Sequence, residues 1–186
     1  MNDYDLRVSM LLPVGEASDF YTNIEVTIVL GDEVVGKIDA QLFHVRQMAE
    51  YGRHPFEAFD SVSGQTCEAY EELDKRKMLF AYDTILYISE VFVEKAHRGH
   101  SLGRDACIRL FQALGNSQTL AVLLPRPSEL RGEKQDTPEA WKHAERQLRK
   151  YWRGVGFRAL GRSNHYIMPG TMIEVIDTFL EPLSTS

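Results

Sequence analysis

A chain of 186 residues with 44% hydrophobic and 26% charged side chains has the composition of one soluble globular domain with an ordinary core. Its net charge of −6 disfavours nucleic acid as a partner, and no apolar run approaches the ~20 residues that a membrane span needs. Cys67 and Cys107 are too few and too far apart for a disulfide framework or a zinc site, and the acidic opening Met1-Asn2-Asp3-Tyr4-Asp5 lacks the pattern of a secretory signal, so a cytoplasmic protein without metal is expected.

Residues 4–14 alternate and then turn apolar, which predicts a first strand. Residues 23–30 and 33–45 form a hairpin around Gly31-Asp32, with Gly36 marking a bulge. Residues 46–82 make a helical insertion. Pro55 prevents a helix from continuing past it, and Asp60, Ser61 and Ser63 offer N-caps for a helix over 65–77. Residues 83–94 carry almost no charge before Glu90, as a central strand buried on both faces would. An amphipathic helix starts at Leu102 and closes at Gly115-Asn116. A short apolar strand occupies 119–124. Thr137 caps a further helix opening with Pro138 and ending near Gly154-Val155-Gly156. Residues 157–168 form a last strand or hairpin, and Ile173, Val175, Ile176, Phe179 and Leu180 predict a short C-terminal helix. That apolar helix offers a surface for a homodimer contact.

The most informative segment is Val91-Phe92-Val93-Glu94-Lys95-Ala96-His97-Arg98-Gly99-His100-Ser101-Leu102-Gly103-Arg104. A β-branched run stops at a glycine-containing turn and a helix begins at once. Such a turn aims unpaired main-chain N–H groups and the positive end of the helix dipole at an anion. Arg98 and Arg104 add charge-assisted donors. Gly99 and Gly103 are expected to let the backbone approach the anion, and His100 and Ser101 to contact it. Arginines concentrate over 98–109 and 126–162 while acids crowd 50–94, a separation suited to a discrete phosphorylated cofactor.

Arg98-Gly99-His100-Ser101-Leu102-Gly103 resembles the Arg/Gln-x-x-Gly-x-Gly/Ala signature of the GNAT superfamily of N-acetyltransferases, with Ser101 in place of the first motif glycine. Tyr151-Trp152-Arg153-Gly154-Val155-Gly156-Phe157 resembles the family's aromatic-Tyr-x-x-x-Gly-Phe ending. The motifs cover residues 83–168, and residues 1–45 match by element order. The resemblance implies one α/β (α+β) domain over 1–186 with a mixed, mostly antiparallel sheet flanked by helices, whose parallel fourth and fifth strands splay apart. It divides the chain into N-terminal strands (1–45), a substrate-side insertion (46–82), a cofactor core (83–168) and a C-terminal helix and tail (169–186). It implies acetyl-CoA as co-substrate, held by Val91, Phe92, Val93, Arg98, Gly99, His100, Ser101, Leu102, Gly103 and Arg104. The acceptor would be a primary amine on a small molecule or peptide.

Acetyl transfer to an amine requires a base, polarisation of the thioester carbonyl and protonation of the departing thiolate. Glu90 is the candidate base, because it closes an apolar strand where burial makes a carboxylate more basic. The resemblance puts the acid at the Tyr four residues before Gly-Phe, where this chain has Trp152, whose indole is not an acid. Tyr151 is the neighbouring candidate, about 100° round the helix. Tyr87 and Ser89, expected on the face opposite Glu90, and Asp60 are candidate substrate contacts. The competing reading is a non-catalytic acyl-CoA sensor or interaction protein on the same scaffold, kept open by Ser101 and Trp152.

Overall fold

The computed structural model describes residues 4–11, 20–127 and 137–172. Their elements are β1 (Asp5–Leu11), β2 (Tyr21–Leu30), β3 (Glu33–Phe43), α1 (Val45–Glu50), α2 (Pro55–Val62), α3 (Gly64–Lys75), β4 (Thr84–Val93), α4 (Leu102–Leu114), β5 (Thr119–Leu123), α5 (Pro138–Val155), β6 (Arg158–Ala159) and β7 (Tyr166–Pro169). The strands form one seven-stranded sheet in the order β1-β2-β3-β4-β5-β7-β6. Every neighbouring pair is antiparallel except β4 and β5, which run parallel through the α4 crossover.

β4 is buried on both faces because its side chains alternate between two cores. Leu86 and Ile88 join Val26, Ile38, Phe111, Leu123 and Trp152 under α4 and α5. Ile85 and Tyr87 join Phe43, Phe59, Leu73 and Val122 under α2 and α3, where the rings of Phe43 and Phe59 stack 3.9 Å apart. The β2–β3 hairpin turns at Gly31, φ +61°. Its bulge falls at Val35, between the pairs Ile28↔Gly36 and Val29↔Val34. Gly36 itself is required by packing, since a Cβ there would lie 2.5 Å from the carbonyl oxygen of Phe92.

The insertion differs from the sequence expectation. It holds three α-helices and a 3-10 turn at Leu79–Ala81, and β3 ends at Phe43 because Val45 already opens α1. Pro55 starts α2, occupying a first-turn position where no N–H is needed. Asp60 therefore lies inside α2, and the cap of α3 is Ser63, whose hydroxyl accepts the Thr66 N–H while the Thr66 side chain returns the bond to the Ser63 amide. α4 and α5 match their expected spans. Thr137 accepts the Ala140 N–H at 3.2 Å at one end of α5, and Gly156 at φ +114° caps the other. Residues 157–168 resolve into the β6–β7 hairpin. The expected C-terminal helix, and the 12–14 end of the first strand, lie outside the described residues. Among the described residues no helix is long and apolar enough to cross a membrane, and no cluster of metal-ligating side chains is present.

Candidate active site

β4 and β5 stay together only from Thr84↔Thr119 to Ile88↔Leu123. β5 ends there, while β4 continues through Ser89–Val93 with no strand on that edge among the described residues. On its other edge β4 pairs with β3, Ala40↔Ile88 and Asp39↔Glu90, which leaves Ser89 as a bulge whose hydroxyl donates to the Asp39 carbonyl at 2.9 Å. A bulge re-aims the strand beside it, and a cavity of about 1250 Å³ occupies the gap. An otherwise antiparallel sheet with one parallel pair parting in mid-strand is the arrangement the motifs implied. The chain has the GNAT fold. No family model and no curated protein matches the sequence. Solved structures to which the chain is similar include an N-acetyltransferase from Staphylococcus aureus Mu50, at 16% identity and TM-score 0.41 over 77% of this chain and 69% of that one. A polyamine N-acetyltransferase of Drosophila melanogaster gives 11% and 0.39 over 78% and 74%. A mutant of the toxin AtaT, bound to the C-terminus of the antitoxin AtaR and acetyl-CoA, gives 9% and 0.42 over 94% and 99%.

One end of the cavity is a turn of main chain. Gly99 and Ser101 both take left-handed conformations, φ +86° and +59°. The first main-chain bond of α4 runs from the Asp105 amide to the Ser101 carbonyl at 3.0 Å, so the amides of Leu102, Gly103 and Arg104 have no acceptor within the helix. Ser101 thus adopts the backbone that a glycine would hold without strain, at a cost of about 1–2 kcal/mol, and its hydroxyl makes no capping bond. At Gly99 the positive φ favours glycine, and nothing in the described chain crowds its Cβ position. A Cβ on Gly103 would lie 3.3 Å from Val91 and Val93, so this glycine lets α4 close onto β4. Arg98 donates from Nε to the Val93 carbonyl at 2.8 Å, with its guanidinium carbon 5.9 Å from the Phe92 ring centroid. Val91, Phe92, Val93, Arg98, Gly99, Ser101, Leu102 and Gly103 line the cavity, whereas His100 and Arg104 do not. His100 is exposed, and Arg104 pairs with Asp105 at 2.8 Å.

At the parting of the strands Ser89 and Glu90 face the cavity. Glu90 is not sealed among apolar groups, as its place in the sequence had suggested. Its side chain is 28% exposed and lies 2.9 Å from the Lys37 ammonium, which also bonds Asp39 at 2.8 Å. The hydrogen bonds to Asp39 and Glu90 push the Lys37 pKa up. The bulge also alters the expected alternation. Tyr87 stands opposite Gln41, and Glu90 opposite Asp39, so Tyr87 and Glu90 share a face. Tyr87 is not on the cavity wall. It is buried, with its hydroxyl 3.5 Å from His165 Nε2, and burial pushes its pKa up. Asp60 is exposed on α2, accepts the Cys67 thiol at 3.1 Å and does not line the cavity.

The adjacent aromatic residues of α5 part as helix geometry requires. Trp152 is 5% exposed, with its ring edge-on to Phe157 at 5.6 Å, and it shares the cavity wall with the more exposed Tyr151. The pKa of Tyr151 is pushed up to about 12, chiefly by burial.

Sequence reasoning missed the opposite wall. Asp39 and Gln41 on β3, Gln65 and Glu68 on α3, and Arg126 after β5 all line the cavity. Gln41 Oε1 is buried with no hydrogen-bond partner. The signal available was the polar run Lys37, Asp39, Gln41 at every second position of a strand whose alternate residues, Ile38 and Ala40, are buried.

Proposed function

We propose that this chain is an acyl-CoA-dependent N-acyltransferase, using acetyl-CoA as donor and a primary amine as acceptor. The observation that carries this reading is the junction of the unpaired β4 edge with the left-handed Gly99–Ser101 turn at the start of α4. The turn offers main-chain donors suited to a diphosphate. The Ser89–Val93 edge offers unpaired peptide groups to which the amide-bearing pantetheine arm can add as a strand would. The two features adjoin in the order in which coenzyme A carries the matching groups.

In the transfer the amine nitrogen bonds to the acetyl carbon, the carbon–sulfur bond breaks, and the electron pair leaves on the coenzyme thiolate. The ammonium must first lose a proton, and Glu90 at the strand bulge is the carboxylate placed to take it, with Lys37 holding its orientation. Asp39, Glu68 and Glu90 draw a cationic amine into the acceptor end. Of the expected substrate contacts, Ser89 faces the cavity and is kept as one, whereas buried Tyr87 and exposed Asp60 lie off its wall. A binder without turnover is the second reading, favoured by the ion pair that engages Glu90 with Lys37.

Thiol release from acetyl-CoA against a panel of di- and polyamines, amino acids and peptides tests the reading. We expect one class to turn over, and Glu90→Gln to lower the rate about a hundredfold while leaving the affinity for coenzyme A unchanged. Tight coenzyme binding with no thiol release from any amine would support the binder.

A further inference from the structure

Asp39 and Glu90 stand directly opposite each other in the β3–β4 ladder, so their carboxylates share one face of the sheet. Like charges in that relation repel. Lys37, two residues back on β3, supplies the cation between them. Its ammonium lies 2.8 Å from Asp39 Oδ2 and 2.9 Å from Glu90 Oε2. Both carboxylates line the cavity, whereas Lys37 does not. The carboxylate pair is thus open to a second cation, arriving through the cavity. Lys37 is also the loosest of the three. Its side chain is 46% exposed, against 34% for Asp39 and 28% for Glu90, so the head group can turn out to water with little to uncover. Ion pairs as open as these hold weakly.

We infer that the Lys37 ammonium holds the place between Asp39 and Glu90 that the acceptor's ammonium takes, so that Lys37 is a built-in competitor which an amine must displace. This role deepens the acyltransferase proposal and rests on its reading of Asp39 and Glu90 as the acceptor end. The exchange is like for like. Lys37 ends in an unbranched primary ammonium, the head that a primary alkylamine presents at neutral pH, and the two carboxylates that push its pKa up keep it charged. Two ammonium groups at one carboxylate pair repel each other at close range, so the arrival of one releases the other. No covalent bond is made or broken in the exchange, and the charge held between the strands is unchanged. The departure of Lys37 frees Glu90 Oε2 as the amine proton comes to stand beside it, which ties the base to the presence of substrate. The exchange also selects for charge, because a neutral ligand makes no contact that offsets the two lost ion pairs.

The test is an NMR titration of the full-length chain with n-butylammonium. Lys37→Met keeps most of the stem and removes the charge, and Lys75→Met, near the end of α3, removes an equal charge elsewhere. Two part-exposed ion pairs hold Lys37 in place, so Lys37→Met should bind the probe about tenfold more tightly than wild type. Lys75→Met should bind it as wild type does. In wild type, saturation with the probe should bring the Lys37 Nζ resonance to that of an unpaired lysine, a readout that stands even if Lys37→Met does not fold. Equal or weaker binding by Lys37→Met, an equal gain in Lys75→Met, an unmoved Lys37 resonance at saturation, or no binding by any of the three proteins would each overturn the inference. Coenzyme A affinity, measured alongside, separates the two proposals. Wild type that exchanges Lys37 for the probe but binds no coenzyme A keeps the exchange and sinks the acyltransferase reading. Coenzyme A binding with Lys37 unmoved by the probe removes the role of Lys37 alone. In turnover, a lower KM for the amine in Lys37→Met with kcat retained supports displacement. A fall in kcat with KM unchanged would make Lys37 a positioning residue for Glu90 and nothing more.

Discussion

On the proposed donor side the cavity wall is largely main chain: the Ser89–Val93 edge, the left-handed pair Gly99 and Ser101, and the first amides of α4. On the proposed acceptor side it is side chains gathered from three places, Asp39 and Gln41 on β3, Gln65 and Glu68 on α3, and Arg126 after β5. A main-chain cradle binds one anion whatever the neighbouring side chains are, so a single donor can be shared among proteins of differing sequence. A side-chain wall can be rewritten residue by residue without disturbing the fold. The contrast assigns the common part of the chemistry to one half of the cavity and the particular part to the other.

The larger effect that probes this contrast is expected at low pH, on the acceptor side. His165 is 1% exposed, its Nδ1 has no hydrogen-bond partner among the described residues, and burial lowers its pKa. Around it stand Tyr87 of β4, Gln65, Glu68 and Glu72 of α3, and Arg126; the two carboxylates and the Gln65 main chain oppose the lowering and the guanidinium adds to it. Because the folded pKa lies below the unfolded value of about 6.5, protons favour the unfolded chain. Stability is therefore full above pH ~6.5 and falls as pH drops from there through the lower folded value. His44, lowered by burial as well, acts in the same direction. Denaturant unfolding between pH 7 and pH 5 should show wild type losing stability more steeply than His165→Gln. Equal slopes would remove His165 from the account.

The smaller effect concerns the donor side. Ser101→Gly relieves the left-handed strain, about 1–2 kcal/mol, and returns about 0.5–1 kcal/mol to the freer unfolded chain. A net stabilisation of about 0.5–1 kcal/mol should appear on thermal or denaturant unfolding. Coenzyme A affinity should stay within about twofold, since the amide that faces the anion is unchanged. A tenfold loss would instead make the serine hydroxyl a ligand, and the donor side would then depend on side chains as the acceptor side does.

The same contrast explains what the sequence made legible. Positive φ at residue 99, closeness at residue 103 and the caps of α5 at Thr137 and Gly156 are conformational demands that few residue types meet. They leave a mark at fixed spacing, so the β4–turn–α4 unit, its parallel neighbour β5 and the cavity between them could be foreseen. The bulge at Ser89 leaves no such mark. One extra residue reversed the expected faces and set Tyr87 in the core on the side that Glu90 shares. Nor does Lys37 announce its pairing with Glu90, which depends on the register of β3 against β4. In the insertion Asp60, Ser61 and Ser63 all read as caps, and the capping box at Ser63 and Thr66, with the Thr66 hydroxyl also bonded to the Phe59 carbonyl, selects the last of them as the start of α3. Arg126 joins Glu68 across the cavity only through the parting of β4 from β5.

The most direct measurement is a calorimetric titration of the folded full-length chain with acetyl-CoA, repeated on Arg98→Glu. The account predicts saturable one-to-one association by wild type, and its marked weakening in the variant. Absence of any heat of association with the wild-type chain, or equal affinity after the charge at position 98 is reversed, would contradict it.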